Sequence, residues 1–85
     1  MFYDIAYVII GLEVRNMEFS AFVKMAREKI GISQEELARA INVSFATINR
    51  WENSKTHPNK LARSVFLDYC KRQGIDINML NGVEE

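Results

Sequence analysis

In 85 residues, of which 48% are apolar and 26% charged, we expect one small domain with a modest core and no separate ligand-sensing module. A single Cys excludes an internal disulfide and points to a reducing compartment. Eleven cations balance eleven anions, which at first argues against a polyanionic partner, because phosphate binding needs cations.

Residues 1–16 carry an apolar run from Ile5 to Leu12, rich in β-branched and aromatic side chains. It is far short of the ~20 residues that cross a bilayer. It also lacks the basic leader and cleavage site of a signal peptide. The run reads as a strand buried on both faces, yet no second strand is evident to pair with it. Three readings stay open. Two copies pair through it across a two-fold axis, or it is a helix on the body of the domain, or Met17 is the natural start.

Asn16 is suited to cap the first helix of the domain proper. Phe19, Phe22, Val23, Ala26 and Ile30 then form one apolar stripe, closed by Gly31. Ser33 followed by Glu36 is a capping box, with Ile32 and Leu37 at the staple spacing around it. Leu37, Ala38 and Ile41 share a face. Asn42, which tolerates the left-handed conformation, ends this second helix. Ser44 caps a third, in which Ile48 and Trp51 face one way and Phe45, Ala46, Asn49 and Arg50 the other. A helix anchored on one face and polar on the other is built to be presented to a partner.

Ser54 to Asn59 is a polar loop containing the single Pro, and Pro58 can take the first position of the next helix. Over Lys60 to Gln73 the periodicity predicts a helix whose core face holds Leu61, Ala62, Val65, Phe66 and Tyr69. Leu67 and Cys70 fall outside that stripe and need cover from the N-terminal segment, the tail or a second subunit. Gly74 closes the helix, Asp76 caps one further turn through Leu80, and residues 81–85 form a frayed tail.

The run Ser33-Gln34-Glu35-Glu36-Leu37-Ala38, then Val43-Ser44, Thr47-Ile48 and Arg50-Trp51-Glu52-Asn53, resembles the helix-turn-helix of the lambda-repressor-like (Cro-type) DNA-binding family. The resemblance runs from about Phe19 to Gly74. It departs at Asn42, where the family usually has Gly, and at Phe45, where many members carry Gln or another polar base reader. It implies an all-α domain of four to five helices over residues 17–80, with residues 1–16 as an apolar extension that is a possible dimerising strand. It further implies a sequence-specific, double-stranded-DNA-binding transcriptional regulator, cytoplasmic and nucleoid-associated, working as a homodimer without cofactor or metal. Arg27 and Glu52 match the family's ion pair between helix one and the end of the recognition helix.

The charge distribution agrees with that reading. From Val43 to Gln73 six cations (Arg50, Lys55, Lys60, Arg63, Lys71, Arg72) stand against Glu52 and Asp68, whereas Gly74 onward holds only anions. Recognition helices put N-terminal residues against base edges. The expected base readers are therefore Arg50 on guanine, Asn49 on adenine, and Phe45 and Ala46 on a thymine methyl. Packing is the other reading of Phe45. Gln34, at the start of helix two, is a phosphate candidate through its side chain and the helix N-terminus. Ser44, Thr47, Asn53 and Lys55 join it by family position, although capping alone explains Ser44 and Thr47.

Catalysis finds little support. His57 is the single His, Cys70 lies mid-helix, no Cys/His cluster has zinc spacing, and no Gly-rich phosphate loop is present. Trp51 and the four Met residues read as packing. Two rival functions remain. One is an antitoxin that binds its own promoter and a toxin, using the apolar extension for the toxin. The other is a protein-interaction module that has lost DNA binding, which the zero net charge and Phe45 favour, and which Gln34, Arg50 and Lys55 oppose.

Overall fold

A computed structural model describes residues 17–53 and 58–80. Four α-helices follow in order: α1 (Phe19–Ile30), α2 (Gln34–Ala40), α3 (Phe45–Glu52) and α4 (Lys60–Arg72). A 3-10 turn, Ile77–Met79, completes them. The architecture is all-α, and no strand occurs among the described residues. One isolated parallel bridge joins Met17 to Leu80, with Met17 N–H donating to Met79 O at 3.1 Å. The chain entering α1 is thus tied to the chain leaving the last turn. The expected extension, residues 1–16, lies outside the described residues, as does the tail, 81–85.

Local chemistry sets the helix ends. Asn16 is not described; Glu18 holds the N-cap of α1 in extended conformation and makes no side-chain cap bond. At α2 the capping box is complete. Ser33 Oγ accepts from Glu36 N at 3.0 Å, and Ser33 N–H donates to Glu36 Oε1 at 2.8 Å. Asn42 leaves α2 at φ 60°, its N–H donating to Arg39 O and the Val43 N–H to Ala38 O. This is the paired-bond C-terminal motif that usually employs Gly. Ser44 Oγ then caps α3 by accepting from Thr47 N. Gly74, at φ 84°, ends α4 with the same paired bonds, Gly74 N–H to Lys71 O and Ile75 N–H to Cys70 O.

The bond from the Ser33 backbone, then the Ser33 hydroxyl bond, hold the Glu36 carboxyl below its ordinary value. A lowered native value stabilises the fold above the unfolded value and is lost as pH falls through the native one. Glu36→Gln is therefore expected to lower stability at neutral and alkaline pH and to flatten the acid limb, wild type and variant converging as pH falls through the native value, as pH-dependent chemical denaturation would show. Ser33→Ala is expected to cost about 1 kcal/mol in the same experiment.

The core is built from Phe19, Phe22, Val23 and Ala26 of α1, Leu37 and Ala38 of α2, Ile48 and Trp51 of α3, and Phe66 and Cys70 of α4. Ile41, Ile75, Ile77 and Leu80 complete it. Phe66 lies at its centre, edge-on to Phe19, Phe22 and Trp51 at centroid distances of 5.7, 6.0 and 6.0 Å. Phe19 and Trp51 also meet edge to face at 5.4 Å.

Two expectations for α4 are corrected. Pro58 does not open the helix; Asn59 caps it, its Oδ1 accepting from Ala62 N at 2.8 Å, and α4 begins at Lys60. The buried face is also rotated from the hydrophobic stripe. Leu61 is 74% exposed and Val65 39%, whereas Cys70 is fully buried and Leu67 packs against the core. Phe66 decides this phase, because its ring must enter the aromatic cluster. The Cys70 side of α4 is then closed by the chain that folds back after Gly74, which puts Ile75, Ile77 and Leu80 into the same core. Burial pushes the Cys70 thiol up to about 12, so it stays protonated and unreactive at neutral pH.

Candidate nucleic-acid interface

α3 is seated by its inner face. Ile48 and Trp51 are buried, while Ser44, Ala46, Arg50 and Asn53 are exposed and Phe45 keeps 49% of its surface in solvent. Thr47 and Asn49 are half-buried. The Arg50 guanidinium makes no hydrogen bond or ion pair with another described residue. An exposed guanidinium beside an exposed aromatic and a methyl group gives this surface one charged donor fork and two apolar contacts.

Ser44 and Thr47 share a hydrogen bond between their hydroxyls at 2.8 Å, in addition to the cap. Both hydroxyls therefore stand at the open start of α3, where a hydroxyl already bonded to its neighbour keeps acceptor or donor capacity. Lys55 and His57 lie outside the described residues. Of the expected cationic band, Arg50, Lys60, Lys71 and Arg72 are exposed. Arg63 is half-buried over the Phe19 ring at 5.8 Å, and Arg72 makes a surface pair with Asp68 at 3.0 Å.

Arg27 of α1 reaches the end of α3. Its Nε donates to Glu52 Oε2 at 2.7 Å and its Nη2 to Glu52 Oε1 at 3.2 Å. Its Nη1 donates to Ile32 O at 3.1 Å, pinning the turn between α1 and α2. The side chains are 16% and 6% exposed. The bond to Glu52 raises the Arg27 value above its ordinary one, against the opposing effect of burial. One fork thereby fixes α1, the α1–α2 turn and α3 to one another.

Sequence reasoning missed what surrounds this pair. Gln34 Nε2 donates to Glu52 Oε1 at 2.8 Å, and Gln34 Oε1 accepts from Asn49 Nδ2 at 3.3 Å. Asn53 Nδ2 donates to Asn49 O at 2.9 Å and to Asn49 Oδ1 at 3.0 Å. The Asn49–Asn53 contact was legible as an i, i+4 amide pair on one helix face. The contact between Gln34 and Asn49 spans two helices and left no sequence signal.

Residues 23–61 match the family model described as Helix-turn-helix. Over 55 residues the chain is also 38% identical to the type II methyltransferase M1.ScrFI of Lactococcus lactis subsp. cremoris. That similarity takes in 61% of this chain and 14% of the relative, so the chain spans a small part of the curated protein it matches. No solved structure matches. No helix among the described residues is long and apolar enough to cross a membrane. With α2, the Asn42 turn and the outward face of α3 as their geometry, residues 23–61 carry a helix-turn-helix similar to that of the Cro/lambda-repressor-like DNA-binding domains.

Proposed function

We propose that this domain binds duplex DNA sequence-specifically and acts as a transcriptional regulator, with α3 in the major groove. The observation that carries the reading is the division of α3. Trp51 and Ile48 lock one face into the core, and Phe45, Ala46 and Arg50 leave the other face open to solvent. In this reading Arg50 makes a bidentate contact to guanine, Asn49 reads adenine, and Phe45 and Ala46 touch a thymine methyl. Gln34, Ser44, Thr47, Asn53 and Lys55 hold phosphates and set the register. The folded unit is residues 17–80, working in the cytoplasm as a homodimer on a partly palindromic site, so that two α3 helices enter successive major-groove turns.

The test is selection from a random duplex pool with the intact chain and with Arg50→Ala, across a salt series. The expected result is one enriched motif whose binding weakens as salt rises. Arg50→Ala should relax one base position, at a cost of about 1–3 kcal/mol of discrimination there. Failure of the wild-type chain to enrich any duplex at low salt defeats the reading.

A further inference from the structure

We infer that Glu52 orients a chain of side-chain amides running out to the exposed face of α3, and that Gln34 is thereby a positioning residue for base reading by Asn49. The second half of this inference rests on the DNA-binding reading above.

The argument starts at the buried end. A carboxylate accepts hydrogen bonds and donates none. Glu52 takes both of its close Arg27 contacts as an acceptor, and its Oε1 also takes Gln34 Nε2 at 2.8 Å. The Gln34 amide is symmetric enough in shape to sit either way round, but only its nitrogen can face Glu52. Its oxygen must then face away, and that oxygen meets Asn49 Nδ2. Asn49 is forced in turn to present its nitrogen to Gln34 and its oxygen to Asn53 Nδ2 at 3.0 Å. Reversing any one amide would set oxygen against oxygen or nitrogen against nitrogen. The direction of the whole chain is therefore set by one acceptor-only group, itself held by Arg27.

The outward end has consequences for recognition. Asn49 has one N–H and one oxygen lone pair left, in fixed positions, which is the donor and acceptor pair that adenine takes. A free Asn can turn over and offer the reverse pattern; this one cannot without breaking its bonds to Gln34 and Asn53. Asn53 differs. Its nitrogen serves both the Asn49 carbonyl and the Asn49 side chain. What its side chain then offers outward is an oxygen, so Asn53 holds a phosphate through its side chain only by releasing Asn49. Gln34 keeps one N–H, so it can touch a phosphate and still hold Asn49.

Two measurements on the full chain test this. The first is duplex selection with wild type, Gln34→Ala, Asn49→Ala and the double variant. We expect both single variants to lose preference at the same base pair, by roughly 5- to 150-fold, the worth of one bidentate amide–base pair. The double variant should lose no more than Asn49→Ala does. If Gln34→Ala instead weakens every duplex equally and leaves the base preferences intact, Gln34 is a phosphate ligand only and the inference is overturned. The second reads the relay without DNA, from the side-chain amide resonances of Asn49 and their exchange with solvent. Gln34→Ala, which removes neither member of the ion pair and no core side chain, should shift the Asn49 amide signals and speed their exchange. An Asn49 amide indifferent to both Gln34→Ala and Glu52→Gln overturns the relay. A wild-type chain that selects no duplex defeats the DNA-binding reading itself, and the amide spectrum then decides the relay alone.

Discussion

Phe66→Ala is expected to lower the unfolding free energy by about 3–5 kcal/mol, the cost of emptying a large aromatic site in a packed core. Phe66 is 1% exposed and its ring touches three other aromatics drawn from α1 and α3. Its loss removes buried area and three edge-to-face contacts at once, and no neighbour on α4 can take its place. Domains of this kind have about 5–15 kcal/mol in total, so the variant should be largely unfolded well below the wild-type midpoint. Chemical denaturation followed by Trp51 fluorescence would measure it, since Trp51 itself lies against Phe66. Leu61→Ala is the control. Leu61 is as apolar, lies on the same helix, and is 74% exposed, so its loss should stay within about 0.5 kcal/mol. A cost at Leu61 as large as that at Phe66 would mean that α4 is seated on the face its hydrophobic periodicity suggests.

Arg27→Ala is the second large effect, expected at about 3–5 kcal/mol. The mechanism differs from that of Phe66. Removing the guanidinium leaves Glu52, whose side chain is 6% exposed, with an uncompensated charge and, among the described residues, only Gln34 as a side-chain donor. The Ile32 carbonyl loses its partner as well. The pair itself need not stabilise the fold by that amount, because desolvation offsets its attraction. Replacing both residues together, Arg27→Met with Glu52→Leu, should therefore recover most of the loss, and a double-mutant cycle in denaturant would show it. The Arg27 value is raised in the folded state, so its contribution is complete below its unfolded value and fades only as pH rises through the folded one. The cost of Arg27→Ala should accordingly be flat in pH on Arg27's account across the neutral range. If both single variants and the double variant prove equally harmless, the fork between α1 and α3 is ornamental.

The parts of this structure that were legible from the chain share a physical property. The Ser33–Glu36 box, the Ser44 cap, the left-handed Asn42 and the glycine closures at Gly31 and Gly74 are each set by residues no more than five positions apart. The α1 stripe of Phe19, Phe22, Val23 and Ala26 was legible too, because a helix with one apolar face has one way to lie on a core. The division of α3 into an anchored and an open face came from the same periodicity. The pairing of Arg27 with Glu52, 25 positions apart, came from family resemblance and not from spacing.

The sequence by itself determined where α2 and α3 start, where α1, α2 and α4 stop, and which residues α3 turns outward, because those outcomes depend on short-range bonds and on period. Only the tertiary structure decided the rotation of α4, the bridge of Met17 to Leu80, and the amide chain from Glu52 through Gln34 to Asn49. On α4 hydrophobic periodicity favoured a face holding Leu61, Val65 and Phe66, whereas the fold keeps Phe66, exposes Leu61 and Val65, and buries Cys70 instead. The aromatic cluster chose, because one ring fits between Phe19, Phe22 and Trp51 and that ring belongs to Phe66. The direction of the amides was likewise invisible in the chain, since an amide takes its orientation from whichever charge the fold places beside it.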